Sequence, residues 1–143
     1  MNFVLDASVT LSWLLADAKA ADRAYAGAVL DALKRPGALA AVPVTWGLEV
    51  SNVLARAEAK AVLTEAQSEA FLEMLSAAPI SVDDATFAQV LNDTLHLARR
   101  YRLSAYDASY LELALRAGLP LATLDVDLTK AARKAGVKRF AAR

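Results

Sequence analysis

A chain of 143 residues can form one domain with a true core, hiding roughly 68–70% of its unfolded surface. It holds no cysteine and one histidine, His96, which excludes disulfides, thiolate nucleophiles, Cys-ligated zinc and multi-histidine metal sites. Its 16 basic residues balance 16 acidic ones, so no overall basic field draws in nucleic acid, but residues 99–143 carry 10 basic and 4 acidic groups (+6) and the first 98 carry 6 and 12 (−6), a weak sign of a polyanion-facing end.

In chain order, Asn2–Leu5 reads as a buried strand ended by Asp6. Ser8 is placed to cap a helix through Leu11, Leu14 and Leu15. A second helix is expected from about Asp22 to Lys34, broken by Pro36-Gly37, and Ala40–Val42 is a weak strand. Thr45 is placed to cap a helix over about Trp46 to Ala59, and Thr64 with Gln67 forms a capping box that opens another to about Ser76. Ile80 and Val82 lie in a connector or edge strand. Then comes the longest helix, from near Asp84, with Phe87, Val90, Leu91, Leu95, Ala98 and Tyr101 as its apolar stripe. Ser104 caps the next, which Gly118 and Pro120 end. Leu121–Leu124 is a strand ended by Asp125, Val126–Ala135 a short helix stopped by Gly136, and Val137–Phe140 a last strand. This alternation predicts a single α/β domain over residues 1–143 with a mostly parallel sheet. The 33 alanines and 23 leucines favour its helices. Mean hydropathy is high at +0.31, but charges interrupt every apolar run well short of the ~20 residues that span a bilayer. No basic segment precedes Asp6, so no membrane partner is expected and the expected compartment is the cytoplasm.

Four carboxylates fall where a carboxylate is expensive. Asp6 and Asp125 each follow an apolar strand, so parallel neighbours would bring both to the carboxyl edge of the sheet, where open α/β folds bind ligands. Glu49 lies about 60° from Trp46 and about 40° from Val53 around its helix, on the apolar stripe. Asp107 opens a stripe continued by Tyr110, Leu111, Ala114 and Leu115. Unpaired buried carboxylates cost several kcal/mol or take up protons, and several together repel. Basic partners or a hard cation must resolve this. Few Lys or Arg share these stripes, and an oxygen donor set without Cys or clustered His favours Mg2+ or Mn2+. Each acid also has a structural reading: Asp107 as part of the Ser104 cap, Asp125 and Asp127 as caps of the last helix, Asp6 as a strand end, Glu49 as half exposed.

These residues resemble the PIN-domain ribonucleases, in particular the VapC-type toxins of bacterial type II toxin–antitoxin pairs. The resemblance runs through Val4-Leu5-Asp6-Ala7-Ser8, Leu48-Glu49-Val50-Ser51-Asn52-Val53-Leu54, Leu103 to Ala114 and Gly118 to Asp125, then Leu128, Ala131-Ala132 and Gly136-Val137. It implies a five-stranded parallel sheet flanked by helices and Mg2+- or Mn2+-dependent endonucleolytic hydrolysis of RNA by a metal-activated water. It implies that Asp6, Glu49, Asp107 and Asp125 form the catalytic, metal-binding cluster. The chemistry of phosphodiester hydrolysis leads us to expect Asp6 and Asp107 to hold the principal ion, with Glu49 and Asp125 completing the shell through waters or a second ion. Ser8 and Thr123 match polar positions beside the site. Asp127 is an alternative ligand to Asp125, which is favoured because it ends the strand. The resemblance further implies a homodimer, a VapB-type antitoxin, and a tRNA, rRNA or mRNA substrate.

Arg99, Arg100, Arg102, Lys130, Arg133 and Lys134 flank the segments carrying Asp107 and Asp125, so they are candidate phosphate contacts, against a plain reading as a solvated face. Trp13 and Trp46 read as packing or interface residues, Tyr106 and Tyr110 as packing residues beside Asp107 with substrate contact as the alternative, and His96 as a boundary residue. Among rivals, a haloacid-dehalogenase-like phosphatase needs a second Asp where Ser8 stands, and a response-regulator receiver needs paired acids after the first strand. A catalytically inactive PIN-fold interaction module remains the alternative of a different class.

Overall fold

The computed structural model describes residues 2–15 and 19–142, so the two ends of the expected 1–143 domain, Met1 and Arg143, lie outside the described residues. Strand β1 (Asn2–Leu5) pairs in parallel with β2 (Leu39–Val42) on one side and with β4 (Leu121–Ala122) on the other, and β3 (Ile80–Val82) extends the sheet beyond β2, giving the order β3-β2-β1-β4. Helices α1 (Ala7–Ser12) and α2 (Ala20–Leu33) join β1 to β2, and α3 (Val44–Ala59) and α4 (Glu65–Ala77) join β2 to β3. The chain then returns past β1 through α5 (Thr86–Gln89), a π-helical turn (Val90–Thr94), α6 (Leu95–Tyr101) and α7 (Ala105–Ala117) to β4, and α8 (Val126–Ala135) follows. The winding direction thus reverses between β1 and β4, and the carboxyl ends at such a reversal open a crevice.

After the exposed Asn2, strand β1 is apolar (Phe3, Val4, Leu5) because both its faces are covered. Phe3 and Leu5 pack with Val9, Val29, Leu33, Val42 and Phe140, whereas Val4 packs with Tyr110, Leu111, Leu121, Leu128 and Ala132. A third cluster (Ala7, Val50, Leu54, Phe71, Leu75) joins α1, α3 and α4. The Phe3 and Phe140 rings stack at 4.0 Å, which ties the C-terminal tail to the central strand.

Several expectations hold. The Thr64–Gln67 capping box forms, Ser104 caps α7, and Gly118 and Gly136 end α7 and α8 at φ of 67° and 82°. Ile80–Val82 is an edge strand, and Trp13 and Trp46 are half-buried, with indole N–H groups bonded to the Ala26 carbonyl and the Thr10 hydroxyl. His96 is exposed.

Other expectations need correction. Helix α1 begins at Ala7 with Asp6 as its cap residue, so Ser8 is no cap, and α3 begins at Val44 after Pro43, so Thr45 is none either. The sheet has four strands rather than five. β4 stops after two residues, leaving the tail only Leu121 to pair with, through Leu121 N–H to the Lys138 carbonyl and Phe140 N–H to the Leu121 carbonyl, both 2.9 Å, so the expected last strand shrinks to one bridge at Arg139. The stripe near Asp84 also breaks. The helix opens at Thr86 and its π turn widens the helical repeat, so Val90, Leu95, Ala98 and Tyr101 are half-buried while Phe87 and Leu91 are 85% and 86% exposed.

Candidate active site

Asp6 sits where β1 runs into α1, its N–H bonded to the Ala122 carbonyl at 3.0 Å, and it is 3% exposed. Its Oδ2 accepts the Ser8 hydroxyl at 2.5 Å and the Thr123 hydroxyl at 2.7 Å. Both hydroxyl oxygens in turn accept backbone N–H groups, Ser8 from Leu124 and Thr123 from Asp125, each at 3.0 Å. A hydroxyl has one proton, so these two are committed to Asp6. Ser8 and Thr123 are therefore braces for Asp6, and this is why Leu124 and Asp125 leave the strand ladder. Among the described residues nothing donates to Asp6 Oδ1.

Glu49 is half-buried on α3, and its Oε1 accepts the Tyr110 hydroxyl at 2.7 Å. Tyr110, fully buried on α7, also takes the Ala7 N–H at 3.4 Å, so one phenol links α1, α3 and α7. The sequence reading of Tyr110 as packing missed this second role, although its place one turn after Asp107 puts it on the face that meets the acids. Asp107 is half-buried at the start of α7. Ser104 accepts its backbone N–H at 3.0 Å, so the cap is served by the main chain of Asp107. Asp125 caps α8, its Oδ1 taking the Leu128 N–H at 2.7 Å. Asp127 is exposed.

The four acids feel one another. Burial, partly offset by the two hydroxyls, raises Asp6 to about 6, with Glu49 and Asp125 adding repulsion. Burial raises Asp107 to about 6 as well, with Asp125, Asp6 and Asp127 repelling it. Glu49 is raised by burial and by Asp107 and Asp125, against the lowering bond from Tyr110. Asp125 thus perturbs all three other acids and Asp127 only Asp107, which puts Asp127 at the rim. Among the described residues the ion pairs join Arg116 to Asp83 and to the buried Glu112, and none reaches these four acids. That Asp83–Arg116–Glu112 bridge, at 2.7 and 2.8 Å, was not visible in the sequence. It explains how α7 buries Glu112 and commits Arg116 away from the cluster.

The donor set suits a hard divalent ion: oxygen-only, mutually repelling and without a cationic partner. Among the described residues no three acids or histidines are close enough, as their side chains stand, to share one ion. Ligation therefore requires the carboxylates to draw inward, Asp6 with its open Oδ1 and Asp125 with the oxygen its cap leaves over.

The basic residues divide between two depressions on opposite sides of α8. Arg100, Arg102, Lys130 and Lys134 line a groove of about 570 Å³ together with Tyr101 and Asp127. Arg133 lies instead in a second cavity, with Lys138 and Arg139, which the sequence reading did not single out. Arg99 is exposed on α6.

A PIN domain family model matches residues 3–134. No curated protein sequence matches the chain. Among solved structures the fold is similar to that of PAE2754 from Pyrobaculum aerophilum, with a TM-score of 0.63 and 23% identity over 92% of this chain and 87% of that one. It is also similar to FitAcB from Neisseria gonorrhoeae, with a TM-score of 0.57 and 19% identity over 99% of this chain and 97% of that one. At these identities the likeness is one of fold.

Proposed function

The chain belongs to the PIN-domain family, whose members are in general metal-dependent nucleases, and from that premise we propose that it is a Mg2+- or Mn2+-dependent endoribonuclease acting as the VapC-type toxin of a toxin–antitoxin pair. The observation that carries the reading is the electrostatic coupling of Asp6, Glu49, Asp107 and Asp125 at the β1–β4 crevice with, among the described residues, no ion pair to any of them.

Asp6 and Asp107 would hold the principal ion, with Glu49 and Asp125 completing its surroundings. A bound divalent ion would supply the charge that keeps these carboxylates ionised together, neutralise a phosphate and make a water more acidic. The remaining work falls to the chain. Ser8 and Thr123 hold the Asp6 carboxylate by Oδ2 and leave Oδ1 for an ion. Tyr110 does the same for Glu49. Among the described residues no side chain in the crevice is left as a general base, since the acids would be the ligands. Arg100, Arg102, Lys130 and Lys134 would hold phosphates in the groove beside Asp127, positioning the strand rather than reading it.

Single-stranded RNA cut by the purified protein with Mg2+ or Mn2+ would bear this out. EDTA, Asp6→Asn and Asp107→Asn should each lower the rate by at least about a hundredfold. Cleavage that survives full chelation ends the proposal. In bacteria, expression of the chain alone should stop growth, and the Asp6→Asn variant should not. No described helix is long and apolar enough to cross a membrane, in keeping with the cytoplasm as the place of action. A VapB-type antitoxin and a second copy of the chain are the proposed protein partners.

A further inference from the structure

Helix α8 separates two depressions. Asp127, Lys130, Ala131 and Lys134 face the basic groove, and Thr129, Ala132, Arg133 and Gly136 face the other side. Each set follows the i, i+3, i+4, i+7 spacing of one helical face. The second depression is a cavity of about 330 Å³ between α8, β4 and the C-terminal tail. Its walls are apolar, from Leu121, Ala132 and Val137, and its rim carries Arg133, Lys138 and Arg139. Thr123 also lines it, the same residue whose hydroxyl is bonded to Asp6 at 2.7 Å. Arg139 is held in place, its guanidinium 3.7 Å from the Tyr25 ring centroid, while the Tyr25 hydroxyl is anchored on the Phe140 carbonyl at 2.8 Å.

We propose that this cavity is a nucleobase subsite that receives one base of the nucleotide next to the scissile phosphate, and so sets which sequence is cut. The inference rests on the ribonuclease reading and adds a specificity element to it. The size is in the range of small-ligand pockets, and flat apolar walls with few polar groups are what a base requires. The cationic rim supplies the phosphate contact, and the immobilised Arg139 meets it with little further loss of side-chain freedom. Thr123 makes the subsite adjacent to the acids: a base against its side chain lies one residue's breadth from the Asp6 carboxylate. The basic groove is the more polar of the two: Arg100, Arg102, Lys130 and Lys134 offer charges for phosphates there, beside Tyr101 and Ala131.

The test uses the four nucleoside 5′-monophosphates as probes, titrated into the full chain in EDTA and followed by NMR shifts of residues in α8 and the tail. Unequal binding of the four is expected. Ala132→Leu, which fills the cavity, should weaken the preferred one by about tenfold, the scale on which a misplaced methylene or two acts in an apolar pocket. Arg133→Ala, at an exposed position that the fold does not need, should weaken all four alike, and Glu69→Ala, exposed on α4 and away from both depressions, should change nothing. Equal binding of all four, or binding indifferent to both Ala132→Leu and Arg133→Ala in variants that melt as the wild type does, overturns the subsite. An unidentified protein partner seated here would show that second pattern. The nuclease reading fails separately, by absence of RNA cleavage with Mg2+ or Mn2+, and the nucleotide titration in EDTA is independent of it.

Discussion

Thr123 has one hydroxyl proton and two claims on its oxygen. Because the Asp125 N–H occupies the oxygen as acceptor at 3.0 Å, the proton goes to Asp6 Oδ2 at 2.7 Å. The residue therefore connects the strand end, the helix cap and the buried carboxylate, and it is 5% exposed, so water cannot replace it. Thr123→Val keeps the shape and deletes both bonds. It leaves the Asp125 N–H and one lone pair of Asp6 unsatisfied, and the expected loss of stability is about 1–3 kcal/mol. With one lowering bond gone, Asp6 should titrate above the value near 6 that it has now. Thr123→Ser keeps the oxygen and should restore both properties. Denaturant melts and a carboxyl-carbon NMR titration measure the two effects, and a Val variant with wild-type stability and titration would show that the hydroxyl is idle.

At the scale of elements, the short polar residues explain both what the sequence made legible and what it hid. Thr64 and Ser104 are read correctly because a hydroxyl three residues before a helical N–H has a local partner, and local partners are visible in sequence. Ser8 and Thr45 carry the same signal, but the Ser8 oxygen accepts the Leu124 N–H, 116 residues away, and the Thr45 hydroxyl meets that of Ser109, 64 residues away, partners that only the fold brings together. The four acids were legible because each falls on an apolar pattern. Tyr110 was not, because an aromatic on an apolar stripe is ordinary. The π turn at Val90–Thr94 was hidden as well, since an even 3.6-residue pattern runs straight through it. Its consequence is the exposed pair Phe87 and Leu91, one turn apart on one face. This pair is one of several exposed apolar surfaces, beside Leu48, Val62, Tyr106 and Val126, on which the proposed homodimer would draw. Phe87→Glu with Leu91→Glu should convert a dimer to a monomer in light scattering while leaving the melting temperature of the monomer within a few degrees, because neither side chain is in the core. A wild-type chain that is monomeric at tens of micromolar, or a double variant that stays dimeric, places association elsewhere or removes it.

For the whole molecule, the fold brings together four carboxylates spread over more than a hundred residues of chain, and among the described residues none of them has an ion-pair partner, so the metal-free protein carries an unresolved electrostatic cost. The sign follows from linkage. Asp6 and Asp107 go from an ordinary value of 3.8 to about 6 on folding, so between pH 4 and 6 the folded chain holds more protons than the unfolded one. Stability in EDTA should therefore be highest near pH 4, as far as these groups decide it, fall as pH rises to 6, and level off above. For the buried Asp6 alone the fall is on the order of 3 kcal/mol. The half-exposed Asp107 adds less, because solvent screens it. Asp107→Asn should flatten the slope and melt at or above the wild-type temperature at pH 7, whereas an Asn variant that unfolds would mean that Asp107 holds the fold together. Mg2+ or Mn2+ should reverse the trend. An ion that binds only the folded chain stabilises it according to its concentration over its dissociation constant, and it competes with the same protons. Its stabilising effect should thus be small at pH 5, larger at pH 7.5, and much reduced in Asp6→Asn at both. Thermal melts over this pH range, with and without the ion, decide the point: a stabilisation independent of pH, or one that Asp6→Asn retains, would place the cation away from these acids.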